Sequence, residues 1–240
     1  MPATETREIG GVASLGASTL AEAFQLTAAR CASQTALQTR DGAQRLSWAE
    51  YARRVRAVAG GLSSVGIGRG DTVALMLTNR PEFHLLDTAA IHLGATPFSI
   101  YNTYPPEQIA YLLASSGSKV VATERSMLGP VSEAARSIAL EAIVVVDGGD
   151  ADGALTLNEL ESRDDGSFDF EATWRSVEPS DVLTVIYTSG TTGPPKGVEL
   201  THANMLATLR GYAEVIEFPV EGRVISWLPM AHVAERACSH

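Results

Sequence analysis

Apolar positions along the chain alternate between a helical period and short continuous runs. Leu20, Phe24 and Ala28 share one face, which predicts a helix over about residues 20–32 with Thr19 as its cap. Ala36–Arg40 and Gln44–Leu46 flank Asp41-Gly42, a strong hairpin signal. Ser47 and Glu50 form a capping box, and the helix it opens carries Tyr51, Val55, Val58 and Leu62 at helical spacing up to Gly66. Strand and helix then alternate. Strands are predicted over Thr72–Leu77, Thr96–Ile100, Lys119–Ala122 and Ala142–Val146. Helices are predicted over Pro81–Leu93, from Pro105-Pro106 to about Ala114, and over 130–139. That order predicts an α/β fold with a parallel sheet and crossover helices.

Beyond the alternation, Asp147–Gly153 reads as a loop. Glu159–Glu171, which contains Asp164-Asp165-Gly166, reads as an acidic exposed segment. Val182–Tyr187 is a continuous apolar run, hence a buried strand. A helix follows from Thr201 or His202 to about Val215, with Met205, Leu209 and Tyr212 inward, and Arg223–Leu228 reads as a further strand. Asn102-Thr103-Tyr104 reads as a turn. His84, His92 and His202 lack a partner pattern and suit core or helix-surface positions. Arg53, Arg54 and Arg56 read as a solvated helix face. The division expected is a loose N-terminal arm over 1–18 and one domain over 19–240.

Composition changes this picture little. Hydrophobic residues make up 45% and charged residues 19% of the 240, ordinary for a globular protein. A formal net charge of −10 argues against general nucleic-acid affinity and leaves room for phosphate at one local loop. Cys31 and Cys238 lack metal spacing and suggest a reducing compartment. No signal-peptide pattern and no membrane-length apolar run is found.

The stretch after Val182–Tyr187 carries the candidate chemistry. Thr188, Ser189, Gly190, Thr191, Thr192 and Gly193 are small, hydroxylated or glycine, then Pro194-Pro195 precede Lys196-Gly197. Exposed backbone N–H groups, hydroxyls and one ammonium suit phosphate oxygens. A Walker-type loop is excluded, because Pro195 stands where the second glycine belongs and Gly197 where Ser or Thr belongs.

This stretch resembles the T-S-G-T-T-G-x-P-K-G signature of the adenylate-forming (AMP-binding) superfamily. Leu46–Glu50, Gly68–Leu75, Asn79–Glu82, Leu93–Ala95 and Pro105–Gln108 are similar to other stretches of that family. Trp227–Arg236 resembles the L-P-L-x-H-x-x-E-R stretch of long-chain fatty acyl-CoA synthetases. The resemblance implies layered sheets with crossover helices, like the incomplete N-terminal domain of the superfamily. It implies ATP and Mg²⁺ as cofactors, CoA as co-substrate and a fatty acid as substrate, in an acyl-adenylate reaction followed by thioester formation.

The resemblance also implies site roles. Thr188–Gly193, with Gly197 beside them, would wrap the β- and γ-phosphates, and Thr188 would touch Mg²⁺. Lys196 would place its charge on the leaving pyrophosphate; the competing reading is a solvated loop lysine. His232 would lie near the adenylate and acyl pocket; the competing reading is a hydrogen-bonded structural histidine. Glu235 and Arg236 read as a structural pair. The family's downstream magnesium-binding Glu, ribose-binding Asp and C-terminal lysine have no counterpart in these residues. The chain is therefore expected to be a truncated ligase with little activity alone. Two alternatives stay open: a module pairing with a missing C-terminal half or a homologous subunit, and part of a fatty acyl-AMP ligase serving a carrier protein. The expected location is the cytoplasm, with peripheral membrane contact compatible with fatty substrates.

Overall fold

The computed structural model describes residues 13–149, 153–164, 166–188, 193–217 and 222–239. Within the expected arm, Ala13–Gly16 forms a 3-10 turn, and Arg210 donates to the carbonyls of Leu15 and Ala17 at 2.8 Å each. Those residues are thus fastened to the domain; residues 1–12 lie outside the described ones.

Helix α1 (Leu20–Arg30) starts at Thr19, whose hydroxyl accepts from Glu22 N at 3.1 Å. Strands β1 (Thr35–Gln38) and β2 (Arg45–Ser47) pair antiparallel around the Asp41 turn. Helix α2 (Trp48–Ser64) opens on the complete Ser47–Glu50 capping box, which satisfies two backbone N–H groups at its start. Then come β3 (Thr72–Met76), α3 (Pro81–His92), β4 (Thr96–Ser99), α4 (Pro106–Ser116) and β5 (Ser118–Thr123). They are followed by α5 (Leu128–Ala135), β6 (Ala142–Val145), β7 (Leu155–Thr156), α6 (Leu157–Ser162) and α7 (Phe170–Arg175). Last are β8 (Val182–Thr188), β9 (Lys196–Thr201), α8 (His202–Val215) and α9 (Val233–Ser239).

The main sheet has five parallel strands in the order β4-β3-β5-β6-β7. Strand alternation divides the core into two layers. Val73, Leu75, Val120, Ala122 and Val144 face α1, α2, α3, α6 and α7. Ala74, Met76, Phe98 and Val121 face α4 and α5 through Ile109, Leu112, Leu113 and Val131. Every residue of α3 is buried, so this helix forms the centre against which the outer elements settle.

Several expectations need correction. The Glu159–Glu171 segment is not simply exposed, because Leu160 and Phe170 enter the core beside Leu157 and Trp174. Its acidic side chains are used locally: Glu159 completes a capping box with Thr156, Asp169 caps α7 by accepting from Ala172 N at 2.9 Å, and Glu171 accepts from Trp174 Nε1 at 3.1 Å. Asp165 lies outside the described residues. The helix expected over 130–139 starts earlier, at Leu128, with Pro130 in its first turn where no N–H is needed. Tyr212 points outward, 42% exposed, while Leu206 takes the buried place on α8. Arg223–Leu228 forms no strand, since it meets no ladder partner among the described residues. Arg54 is not merely solvated: it pairs with Glu161 at 2.5 Å.

Candidate functional site

The hairpin β8–β9 lies along the outer edge of β4. Hydroxyls fasten it there: Thr96 Oγ1 donates to Val182 O at 3.0 Å and Thr184 Oγ1 to Pro97 O at 2.7 Å. The Tyr187 ring sits 5.4 Å from Phe98, and Leu183 is buried in the core. The apolar face of β8 therefore orients the hairpin, and its end projects past the sheet. Strand β9 went unrecognised in the sequence because Lys196-Gly197 read as loop, although Val198 and Leu200 alternate with Gly197 and Glu199.

At that end Thr188 stands opposite Lys196 and Tyr187 opposite Gly197. Both Thr188 and Lys196 are exposed. Thr188 Oγ1 reaches the Lys196 carbonyl at 3.5 Å, a long contact that leaves the hydroxyl available for a shorter one. Among the described residues the Lys196 ammonium makes no ion pair. Tyr111 Oη on α4 donates to Pro195 O at 3.0 Å and holds the return limb of the turn. Gly193 adopts φ +103°, a conformation that L side chains rarely take. Ser189, Gly190, Thr191 and Thr192, also expected to bind phosphate, lie outside the described residues.

A hydroxyl and an ammonium flanking a glycine-bearing turn suit phosphate oxygens in both charge and hydrogen bonding. For a divalent cation the protein supplies less. No group of three or more His, Cys, Asp or Glu is placed to hold a metal among the described residues. Thr188 offers one neutral oxygen, so Mg²⁺ would need phosphate oxygens and water for the rest of its shell, as is usual for nucleotide-bound Mg²⁺.

His232 lies apart from this turn in its bonding. It is exposed and sits at the start of α9, where its Nδ1 accepts from Ala234 N at 3.2 Å. Its carbonyl accepts from the Glu235 and Arg236 amides at 3.1 and 3.3 Å. With Nδ1 accepting, the neutral ring carries its proton on Nε2 and offers a donor there. Glu235 and Arg236 each reach to other elements of the chain. Glu235 accepts from the amides of Leu228 at 3.1 Å and Trp227 at 3.4 Å, while Arg236 donates to Asp87 at 2.6 Å. Neighbouring helix positions point about a quarter-turn apart or more, so adjacent opposite charges on a helix seldom meet.

A second polar cluster lies at the ends of the parallel strands. The order β4-β3-β5 reverses direction at β3, the kind of switch point where open α/β sheets commonly bind ligands beyond their strand ends. Here it is filled. Glu124 accepts from Thr78 N and Thr78 Oγ1 at 2.6 Å each, and Arg80 lies 3.4 Å from Glu124, 2.8 Å from Glu82 and 3.6 Å from Asp147. Burial pushes the Glu82 carboxyl up, but the Arg80 hydrogen bond, backbone N–H and Arg80 charge together hold it below the usual range. Asn79 Nδ2 donates to Ser226 Oγ at 2.7 Å and Leu228 O at 2.8 Å, tying the chain's last segment to this point. Only the N-x-x-E pattern of Asn79–Glu82 marked the place in the sequence.

Comparison with known proteins places the geometry in a family. The family model described as AMP-binding enzyme matches residues 24–239. An uncharacterized Mycobacterium tuberculosis protein, Rv1549, is 48% identical over 130 residues, 54% of this chain and 73% of that protein. The long-chain-fatty-acid–CoA ligase FadD15 of Mycobacterium bovis is 35% identical over 196 residues, 80% of this chain and 32% of FadD15. The fold superimposes on a long-chain-fatty-acid-CoA ligase, FadD1, from Archaeoglobus fulgidus with TM-score 0.81 at 23% identity, covering 99% of this chain and 46% of that one. The chain thus spans about a third of FadD15 and under half of the Archaeoglobus enzyme. With a family model matched from residue 24 to residue 239 and an α/β architecture shared with solved ligases, the chain belongs to the AMP-binding, adenylate-forming enzyme family.

Proposed function

We propose that this chain carries the phosphate-gripping part of an ATP-dependent, AMP-forming fatty acid–CoA ligase acting on long-chain fatty acids. The observation that carries the reading is the end of the β8–β9 hairpin, where exposed Thr188 and Lys196 face each other across the turn. The 35% identity to FadD15 supports the substrate class.

A carboxylate is a poor electrophile. In the proposed reaction a carboxylate oxygen attacks the α-phosphorus of ATP, the α–β P–O bond breaks and pyrophosphate leaves. The CoA thiol then attacks the acyl carbonyl, and AMP leaves. The barrier falls when negative charge on the leaving group is neutralised and the reactants are held in line. Thr188 to Gly193 would hold the β- and γ-phosphate oxygens, and Lys196 would stabilise the departing pyrophosphate. Thr188 would supply the protein's oxygen to Mg²⁺. His232 would offer its Nε2–H beside the adenylate and acyl pocket. We place the reaction in the cytoplasm, with the fatty substrate favouring peripheral membrane contact. Among the described residues no helix is long and apolar enough to cross a membrane.

Because the chain spans about a third of FadD15, we expect ATP–pyrophosphate exchange by purified 1–240 to stay at background across a panel of fatty acids. Robust exchange that disappears in Lys196→Ala would overturn the inactivity while supporting the grip.

A second reading has its own observation. Val224, Ile225 and Trp227 are 69%, 83% and 75% exposed on an extended stretch without a ladder partner among the described residues, and Val198 on β9 is also exposed. Such an exposed apolar stretch suits a complementing module that pairs with a separate C-terminal half or a homologous subunit. Co-expression with a downstream half of a related ligase should then restore exchange activity. No gain in exchange or solubility would remove its support.

A further inference from the structure

The fully buried ion pair between α3 and α9 has no part in the chemistry proposed above. Asp87 and Arg236 are both 0% exposed and meet at 2.6 Å across 149 residues of sequence. Arg236 Nη1 also donates to Ser99 Oγ at 3.3 Å at the end of β4, and its guanidinium lies 5.9 Å from the Phe83 ring. Arg236 Nε has no hydrogen-bond partner among the described residues. A buried pair whose bonding is incomplete does little for stability against an apolar pair of similar volume, and the best-attested use of such pairs is to fix register.

What this pair registers is the turn before it. Arg236 N donates to His232 O at 3.3 Å, one helical turn back. Glu235, adjacent to Arg236, accepts from Leu228 N, and Asn79 holds Leu228 O from the other side. The segment 226–236 is thus tied to the sheet at Asn79, to itself at Glu235 and to α3 at Asp87. His232 stands exposed between these ties, with its ring fixed by Ala234 N.

We propose that Asp87 and Arg236 are positioning residues: the buried pair sets the register of α9 on α3 and so fixes the place of the turn in which Ala234 N holds the His232 ring. The proposal rests on the ligase reading for what His232 does, and on geometry alone for how His232 is held. A guanidinium bonded to Asp87 and Ser99 is seated by the direction of its bonds as well as by its volume.

The test uses the 240-residue chain and the double variant Asp87→Leu/Arg236→Met, which removes both charges together and avoids stranding one in the core. Thermal unfolding checks that the variant folds. Ring ¹⁵N NMR reports the His232 tautomer, with His232→Gln assigning the signal. Calorimetry with a non-hydrolysable fatty acyl-sulfamoyl adenosine reports binding. We expect a folded double variant whose His232 signal shifts from the Nδ1-accepting form toward an exchanging mixture. We also expect its affinity for the analogue to drop at least about tenfold, the scale of one charge-assisted hydrogen bond lost or misplaced. An unshifted His232 signal in the folded variant, or unchanged affinity, overturns the proposal. If the parent chain binds no analogue, the ligase reading fails separately, and the tautomer signal alone decides the register claim.

Discussion

At the scale of single residues, His92 makes the clearest case for pH dependence. It is fully buried, its Nδ1 lies 2.7 Å from Thr88 O, and its Nε2 lies 3.0 Å from Gln25 Nε2. The ring stacks on Phe170 at 5.4 Å. Burial pushes its pKa down to about 4, against the opposing pull of the Thr88 carbonyl, and nearby His202 lowers it further. In the unfolded chain the ring titrates near 6.5. Between those values the unfolded state holds more protons, so this contribution is fully present above pH 6.5 and is lost as pH falls toward 4. We expect a loss of about 3 kcal/mol over that window from this group. Urea unfolding at stepped pH should show the slope, and His92→Gln should flatten it. An unchanged slope in the variant would contradict the assignment. The sequence marked His92 only as a core or surface histidine, because its partners Gln25, Thr88 and Phe170 come from three helices.

At the scale of elements, α2 and α6 show how close packing was hidden in composition. A Cβ on Gly61 would lie 2.1 Å from Leu160 O, which is backbone and cannot swing away. Alanine in a helix interior gains about 1 kcal/mol over glycine, yet overpacking of this kind costs about 1–3 kcal/mol or more. We expect Gly61→Ala to be net destabilising, while Gly211→Ala on α8, where a Cβ meets nothing within 4 Å, should stabilise by up to about 1 kcal/mol. Denaturation midpoints of the two variants measure the difference in sign, and two shifts of the same sign would contradict the packing of α6 on α2.

Strands β3, β5 and β6 were legible because Val, Leu and Ile cluster there between capping and turn residues, and β4 through Phe98 and the Ile100 that follows it. Helices α6 and α7 were not, because their few apolar residues, Leu157, Leu160, Phe170 and Trp174, are spaced among acidic ones that act as caps. Strand β9 was hidden for a related reason: it is exposed on most of its length, so no apolar run announces it.

At the scale of the whole molecule, the α/β class followed from alternation alone, and the motif order pointed to the family that the residue 24–239 match establishes. What the sequence could not give is the meeting of distant parts: Asn79 with Ser226, Asp87 with Arg236, and His202 Nδ1 with Leu20 N at 3.0 Å. These contacts join the last third of the chain to its first half, and no local pattern encodes them. They also lead us to expect that 1–240 folds cooperatively. Truncation before Ser226 should lower the melting temperature, since it removes Arg236 from Asp87 and the bonds of Asn79 to Ser226 and Leu228, and uncovers the α3 surface on which α9 packs. A truncated chain with the parent's melting temperature would contradict that.

The most direct measurement is calorimetric titration of the 240-residue chain with ATP and Mg²⁺, beside Lys196→Ala. Lys196 stands opposite Thr188 at the end of the hairpin, so removal of its ammonium should weaken binding by about tenfold through loss of one charge-assisted contact. We expect saturable ATP binding that falls by that factor in the variant. Absence of binding, or binding of equal strength in Lys196→Ala, would contradict the assignment of this hairpin as the phosphate grip.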